Sequence, residues 1–358
     1  MNSNNDNLED MLVISKSMQA TDLHLCTGSK PVTRVNGKLI EISEMDKLTP
    51  NIVEDIIGRL LIPGKRAVLE KQRVLDFSFS ISGLGRFRAN IYSQRGTFAI
   101  AIRMLPFDIP PFKALGLPAA VESFTAKTKG LFLATGATGS GKSTTLASLL
   151  NQINETYNYH IITIEDPIEY LHRHKKSLVT QREIGEDADS FAHALRSALR
   201  EDPDVIMVGE MRDPETISIA LTAAETGHLV LSTLHTVGAA KSIDRIIDAF
   251  DPSQQNQIRS QLAAVLEGVV SQQLIPRIDK PGLIAACEVM FVNPAIRNLI
   301  REGKHYQINS IMQTGQAQGM QLLEANLAKL CNSGIIDKEE VFLRAQDQQL
   351  LQQFLNRR

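Results

Sequence analysis

The segment GLFLATGATGSGKSTT, residues 130–145, constrains this chain more than any other stretch. An apolar run ends in a glycine-rich turn, and the turn opens into a helix-compatible stretch reaching about Asn154. Within it, GATGSGKS at 136–143 has the spacing G-x-x-x-x-G-K-[ST]. Glycines let successive backbone N–H groups converge on one point, and the helix that follows adds partial positive charge at its N-terminus. The pattern predicts a nucleoside triphosphate site formed by Gly136, Ala137, Thr138, Gly139, Ser140, Gly141, Lys142, Ser143 and Thr144. Lys142 is expected to reach the β- and γ-phosphates, and Ser143 to bind Mg²⁺. A chance glycine turn is the bland alternative, and the later strands weigh against it.

Those strands are HIITIED, DVIMVGE and HLVLSTLHT, each separated from the next by a longer helix-like stretch. The alternation predicts a parallel sheet with helices on both faces, whose ligands gather beyond the carboxyl ends of the strands. Glu165 and Asp166 end the first of the three, and either carboxylate is a candidate for Mg²⁺. In the second, Gly209 stands where an aspartate often closes such a run, and Glu210 follows as the candidate that polarises the attacking water. The competing reading of Glu210 is an ion pair with Arg212. His235 closes the third strand and is a candidate γ-phosphate sensor. His228 opens that strand, where a structural role weighs equally with nucleotide binding. Arg196 and Arg200, spaced i,i+4, are expected on one helix face as sources of positive charge for phosphoryl transfer. Beyond about residue 252 the pattern reads as helical, with 283–292 the one alternating exception.

The first third of the chain follows another rule. Leu8, Met11, Leu12, Ser15 and Met18 form a helical stripe, and Asn36-Gly37 between two alternating segments predicts a hairpin. Helices are expected around 50–61 and 64–72. Three alternating stretches then place Leu75, Phe77, Phe79 and Ile81, then Phe87, Ala89 and Ile91, then Phe98, Ile100 and Ile102 on one face each, an antiparallel meander. Arg86, Arg88, Arg95 and Arg103 lie in or beside it, with Arg86 and Arg88 opposite the aromatic face. Residues 1–103 therefore read as a small α+β domain, 104–118 with four prolines as a linker, and 119–358 as the nucleotide-binding domain. At 358 residues two domains are expected.

Composition narrows the function. A net charge of -2, no tryptophan and five tyrosines leave little for coating or stacking on nucleic acid, so no direct nucleic-acid partner is expected. Cys26, Cys287 and Cys331 are isolated and form no CxxC pair. The polar, acidic start lacks the pattern of a secretory signal, and no apolar run of about 18 residues suggests a membrane span. A cytoplasmic location is expected.

Four segments in order, GATGSGKSTT, TIEDPIEY, LREDPDVIMVGEMRDPET and LTAAETGHLVLSTLHT, resemble the Walker A, Asp, Walker B and His boxes of the secretion-type ATPases of type II secretion and type IV pilus machines. The resemblance spans most of 20–345. Within that group the chain looks most like the pilus-retraction motors: TDLHL at 21–25, the missing paired-CxxC insertion, AIRNLIREGK at 295–304 and MQTGQAQGMQLLE at 312–324 carry this. Ala137 stands where proline is common, and 341–358 match weakly. The resemblance implies an α/β chain with an N-terminal PAS-like α+β domain and a C-terminal RecA-like P-loop ATPase domain with a helical tail. It implies a homohexamer using ATP and Mg²⁺. Arg86, Arg88 and Arg103 stand as nucleotide-binding candidates from their place on the meander, and the sequence leaves open which arginine reaches a neighbouring nucleotide. It further implies an inner-membrane pilus platform protein as partner, with the motor held at the cytoplasmic face of the membrane only through the pilus machine. AIRNLIREGK is then expected to couple hydrolysis to pilus disassembly. The rival tasks are pilus assembly or type II secretion, nucleic-acid translocation, and ATP binding without cleavage; intact Lys142, Ser143 and Glu210 oppose the last.

Overall fold

Period-two alternation organises the first part of the chain, and buried apolar strands the second. The structure is a computed structural model describing residues 7–105 and 108–356. Residues 106 and 107 of the proline-rich segment lie outside the described residues. The chain divides into two units, Met1–Asp108 with Glu169–Leu171, and Ile109–Ile168 with His172–Arg358.

The first unit contains α1 (Leu8–Ser17), β1 (Asp22–Cys26), β2 (Val32–Val35), β3 (Lys38–Glu41), α2 (Pro50–Leu60), α3 (Pro63–Gln72), β4 (Val74–Ile81), β5 (Gly85–Gln94) and β6 (Thr97–Met104). The strands form an antiparallel sheet in the order β3-β2-β1-β6-β5-β4. Asn36 and Gly37, with φ of 49° and 80°, make the predicted tight turn between β2 and β3. One sheet face buries Leu23, Leu25, Phe87, Ala89, Ile91, Ile100 and Ile102 with Met11, Leu12, Val53, Ile57 and Leu69 of the helices. On the other face the register aligns Ser78, Arg88, Arg103, Asp22 and Arg34 in a row across five strands.

The second unit holds β7 (Gly130–Thr135), α4 (Lys142–Thr156), β8 (His160–Glu165), β9 (Leu178–Glu183), α5 (Phe191–Ala198), β10 (Val205–Val208), α6 (Pro214–Glu225), β11 (Leu229–Leu234), α7 (Ala239–Ile247) and α8 (Pro252–Val265). These are followed by β12 (Leu266–Pro276), β13 (Leu283–Phe291), α9 (Pro294–Arg301), α10 (Ile308–Thr314), α11 (Leu323–Asn332), α12 (Lys338–Arg344) and α13 (Gln348–Leu355). The sheet runs β13-β12-β7-β11-β10-β8-β9, with only the β12–β13 pair antiparallel. Every residue of β7, β10 and β11 is buried, as strands covered on both faces require. Leu131, Leu133, Ile162, Ile164, Val208 and Val230 pack on one side with α5 to α9; Phe132, Ala134, Ile161, Met207 and Leu231 pack on the other with α4. A separate cluster of Ile275, Ala286, Leu327, Val341 and Leu351 joins the helical tail to the β12–β13 hairpin.

Two strands depart from the sequence reading. Residues 266–276, expected to be helical, form β12, the longest strand of the unit. Pairing with β7 and β13 overrides a segment whose short apolar run fits helix or strand equally. The edge strand β9 was not expected either, its residues being mostly polar.

Gly268 marks the tightest point of β12. A Cβ there would stand 2.1 Å from Phe124 Cζ and 2.8 Å from the Met290 carbonyl oxygen. Phe124 cannot swing away freely, since its ring stacks on Phe291 at a centroid separation of 4.7 Å. Gly268→Ala is therefore expected to lower unfolding stability by about 1–3 kcal/mol, the usual range for overpacking. Denaturant unfolding of the two proteins measures it, and equal midpoints would show that the aromatic stack yields.

Candidate active site

Parallel pairing gives β7, β8, β10, β11 and β12 the same polarity, so their carboxyl ends share one edge of the sheet. Thr135 at the end of β7 pairs with Leu234 of β11 and Ser271 of β12. The chain then turns through residues 136–141 into α4. Gly136, at φ 140°, admits no side chain: a Cβ would meet the Gln272 carbonyl oxygen at 2.3 Å. Gly141 takes a left-handed conformation, φ 87°, at the helix entry. Lys142 is buried, and its Nζ donates to the carbonyls of Gly136 and Ala137, both at 2.9 Å. Its ammonium thus lies over the start of the loop. Ser143 and Thr144 occupy the first turn of α4, the end of the helix that carries partial positive charge.

Glu165 ends β8 buried, accepting hydrogen bonds from Thr163 Oγ1 at 2.7 Å and Gln181 Nε2 at 3.2 Å; Asp166 beside it is exposed. Glu210 follows β10 on a backbone held from both sides. The Gly209 N–H donates to the Ile164 carbonyl at 2.8 Å, and Thr233 Oγ1 to the Gly209 carbonyl at 2.5 Å. One oxygen of Glu210 lies 2.8 Å from Arg212 Nε and the other 3.4 Å from His235 Nε2. The ion pair with Arg212 is therefore real, and it leaves the second carboxylate oxygen facing the imidazole. Arg212 is 71% exposed, so water screens the pair and it constrains the carboxylate weakly.

Other candidates are dispersed. His228 lies at the opposite end of β11, where Nδ1 meets the Ala223 carbonyl at 2.9 Å; the fold keeps it apart from the loop. Arg196 on α5 is ion-paired with Glu215. Arg200 does not share its helix face, because α5 ends at Ala198 and Arg200 sits in the turn beyond. The shortening has a local cause: Asp202 adopts φ 54° and Pro203 follows, so the helix cannot continue. In the first unit Arg86 reaches Ser80 Oγ at 3.4 Å, Arg88 is exposed, and Arg103 pairs with Asp22 at 3.0 Å. Burial opposes ionisation of Asp22, yet the bonds from Thr21 and Arg103 hold its carboxyl below the usual range.

Sequence reading missed a set of polar groups on β12 and β13. Gln272 is buried against the loop, with Nε2 donating to the Ser140 carbonyl at 2.7 Å and Oε1 accepting from Thr145 Oγ1 at 3.0 Å. Ser271 Oγ accepts from the Gly238 N–H at 2.8 Å, and Glu288 Oε1 from the Ala239 N–H at 2.6 Å. These bonds fix the start of α7, three to four residues after His235. The polar stretch Ser271-Gln272-Gln273 breaks the apolar run of β12, and Glu288 breaks that of β13, the one signal that pointed to them. Burial, reinforced by the charge of Glu324, pushes the Glu288 carboxyl up to about 7, against the opposing pull of the Ala239 amide and Lys241.

Comparison with known proteins bears on the same residues. The family model described as "Type II/IV secretion system protein" matches residues 117–354. The type IV pilus retraction ATPase PilT of Pseudomonas aeruginosa is 46% identical over 93% of this chain and 96% of its own length. The twitching motility protein of Neisseria gonorrhoeae is 46% identical over 88% of this chain and 84% of its own. A crystal structure of the pilus retraction motor PilT with bound ADP superposes with a TM-score of 0.91 at 47% identity, covering 97% of this chain and 99% of that one.

The Glu288 proton gives the corner a measurable signature. The folded chain holds this proton more tightly than the unfolded chain, whose carboxyl titrates near 4.5. The resulting contribution to stability is complete below about pH 4.5 and is lost as pH rises to about 7. Glu288→Gln keeps an acceptor for the Ala239 N–H and removes the titration. The variant is expected to gain about 1–3 kcal/mol on the parent between pH 5 and 8. Denaturant unfolding across that range checks it, and parallel curves would mean that Glu288 titrates normally in the fold.

Proposed function

The chain belongs to the type II/IV secretion system protein family, and from that premise we propose that it is the ATP-hydrolysing motor that drives retraction of type IV pili. The observation that carries the reading is near-full-length similarity to a retraction ATPase, with a phosphate loop, Glu165, Glu210 and His235 on the ends of neighbouring parallel strands.

In this reading the N–H groups of 138–144 and the Lys142 ammonium hold the β- and γ-phosphates of ATP. Lys142 exchanges its bonds to the Gly136 and Ala137 carbonyls for phosphate oxygens, which are stronger acceptors because they are charged. Glu210 orients a water molecule for attack on the γ-phosphorus, the bond to the β–γ bridging oxygen breaks, and ADP and phosphate leave. His235, 3.4 Å from Glu210, reports on the γ-phosphate position. Among the described residues no three His, Cys, Asp or Glu side chains group to hold a metal unaided. Ser143 with Glu165 or Asp166 suits Mg²⁺, which takes most of its ligands from phosphate and water and would neutralise phosphate charge.

The motor acts as a homohexamer in which Arg86, Arg88 or Arg103 serves a neighbouring nucleotide, and it works on an inner-membrane platform protein from the cytoplasmic face. The helix carrying AIRNLIREGK supports a load-bearing role. Ile296 and Ile300 are buried, and Arg297 is half-buried against α8 rather than turned to solvent. It donates to the Ala263 and Ala264 carbonyls at the end of α8, both at 2.8 Å, and to Glu267 at 2.6 Å. Cation and helix C-terminus are complementary there.

Glu210→Gln is expected to bind ATP like the parent and to turn it over at least about 100-fold more slowly, measured as phosphate release. Near-normal turnover would move the role to Glu165 or Asp166. Deleting the gene separates retraction from assembly or secretion: excess surface pili without twitching support the proposal, and bald cells overturn it. Stimulation of the ATPase by DNA or RNA would favour a translocase instead.

A further inference from the structure

One buried glutamine on β12, Gln272, touches the phosphate loop and the first turn of α4 at three places. The Gln272 backbone carbonyl closes the space beside Gly136, at 2.3 Å from where its Cβ would be. The side chain then passes beneath the loop. Its Nε2 donates to the Ser140 carbonyl at 2.7 Å and lies 3.0 Å from where a Cβ on Gly141 would stand. Its Oε1 accepts from Thr145 Oγ1, at 3.0 Å, in the first turn of α4. Chemistry dictates the orientation of the amide, because a backbone carbonyl carries no proton and only the nitrogen can face it. The residue is 2% exposed, and both of its partners are buried.

A glutamine in the middle of a covered sheet is costly unless its bonds are made, and a leucine of similar volume would fill the space. What the amide supplies is direction. In a planar trans peptide the C=O and the N–H point opposite ways. Drawing the Ser140 carbonyl toward β12 therefore turns the Gly141 N–H away from β12. The bond to Thr145 meanwhile fixes the rotation of the first turn of α4, which carries the amides of Lys142, Ser143 and Thr144. The neighbouring residue acts on the other side of the strand: Ser271 holds the Gly238 N–H, just beyond the segment that carries His235. Two consecutive residues, facing opposite ways as strand geometry requires, thus hold both loops at a set spacing.

The geometry points to Gln272 as a positioning residue for nucleotide binding, which pre-aims the phosphate-binding amides through Ser140 and Thr145 without itself touching the nucleotide. This rests on the ATPase reading above. Preorganised donors bind an anion without the cost of ordering them at the moment of binding, so losing the strut weakens affinity even when every donor remains.

The test uses the full-length protein and Mg²⁺–ADP, with affinity measured by calorimetry and folding by thermal unfolding without nucleotide. Gln272→Leu is expected to bind ADP about tenfold more weakly, the usual size for one or two lost buried hydrogen bonds, with its unfolding temperature close to the parent's. Gln272→Glu keeps the acceptor for Thr145 but loses the donor to Ser140 while ionised. Its affinity should fall like that of Gln272→Leu at about pH 8 and recover relative to the parent at about pH 6, because burial favours the protonated carboxyl, which donates again. Gln272→Met, uncharged and of similar volume, should lose affinity like Gln272→Leu, so that repulsion of the phosphates by a carboxylate is not mistaken for the lost donor. Parent-like ADP affinity in Gln272→Leu or Gln272→Met, or no recovery in Gln272→Glu, overturns the proposal. Should Gln272→Leu fail to fold, Gln272→Met decides. Absence of ATP turnover in the parent would instead overturn the ATPase reading itself.

Discussion

Parallel pairing imposes a common polarity, and the site depends on it. Because β12, β7, β11, β10 and β8 run the same way, every loop that leaves them emerges at one edge. The register sets the depth: Val208 lies level with both Ser232 and Ile164, and Thr135 with both Leu234 and Ser271. A slip of one residue in any pair would turn that strand's buried set over to the other helix layer. The apolar cores on the two faces therefore specify the positions of the polar groups at the edge.

At that edge burial works against the polar groups, and hydrogen bonding holds several of them, although among the described residues the buried hydroxyls of Thr135 and Ser140 find no partner. Ser232 bonds the Val208 carbonyl at 2.7 Å and Thr233 the Gly209 carbonyl, so neither hydroxyl is left to pay the desolvation penalty. Gln272 and Ser271 follow the same rule. Glu288 differs, because its ionised form stays unfavourable even with the Ala239 N–H bonded to it. A carboxyl is thus placed where a serine or an amide would bond without that conflict, and the start of α7 inherits its sensitivity to protonation.

Much of this was legible because the signals were local. The phosphate loop is contiguous, the Asn36-Gly37 turn is two residues, and the alternation in β4, β5 and β6 is carried by each strand separately. Glu210 and His235 stand at strand ends, where a topological rule that needs no coordinates looks for candidates. Long-range pairing defeated the reading elsewhere. β12 became a strand because the open edge of β7 was available to it, and no periodicity within 266–276 announces that. Once β12 was read as helix, Gln272 and Ser271 had no reason to stand near the loop. Arg200 was lost for a smaller reason: i,i+4 spacing implies a shared face only while the helix lasts, and Pro203 three residues on was a readable warning.

A motor must also join its nucleotide edge to an element that can bear on something else, and β12 reaches both. At its middle, level with the end of β7, it carries Ser271 and Gln272 against the two loops. Near its start Glu267 bonds Arg297 at 2.6 Å and Lys127 at 2.8 Å. Arg297 in turn grips the last carbonyls of α8, the helix that runs directly into β12. Five residue-to-residue steps of extended chain, about 17 Å at a rise of roughly 3.3 Å per residue, separate Glu267 from Gln272. That strand is hydrogen-bonded on both sides, to β7 and to β13, and a Cβ at Gly268 would collide with the aromatic stack beside it. A segment so enclosed moves as a unit with its neighbours or hardly at all. The helix bearing AIRNLIREGK is consequently fixed to the same strand that supports the phosphate loop.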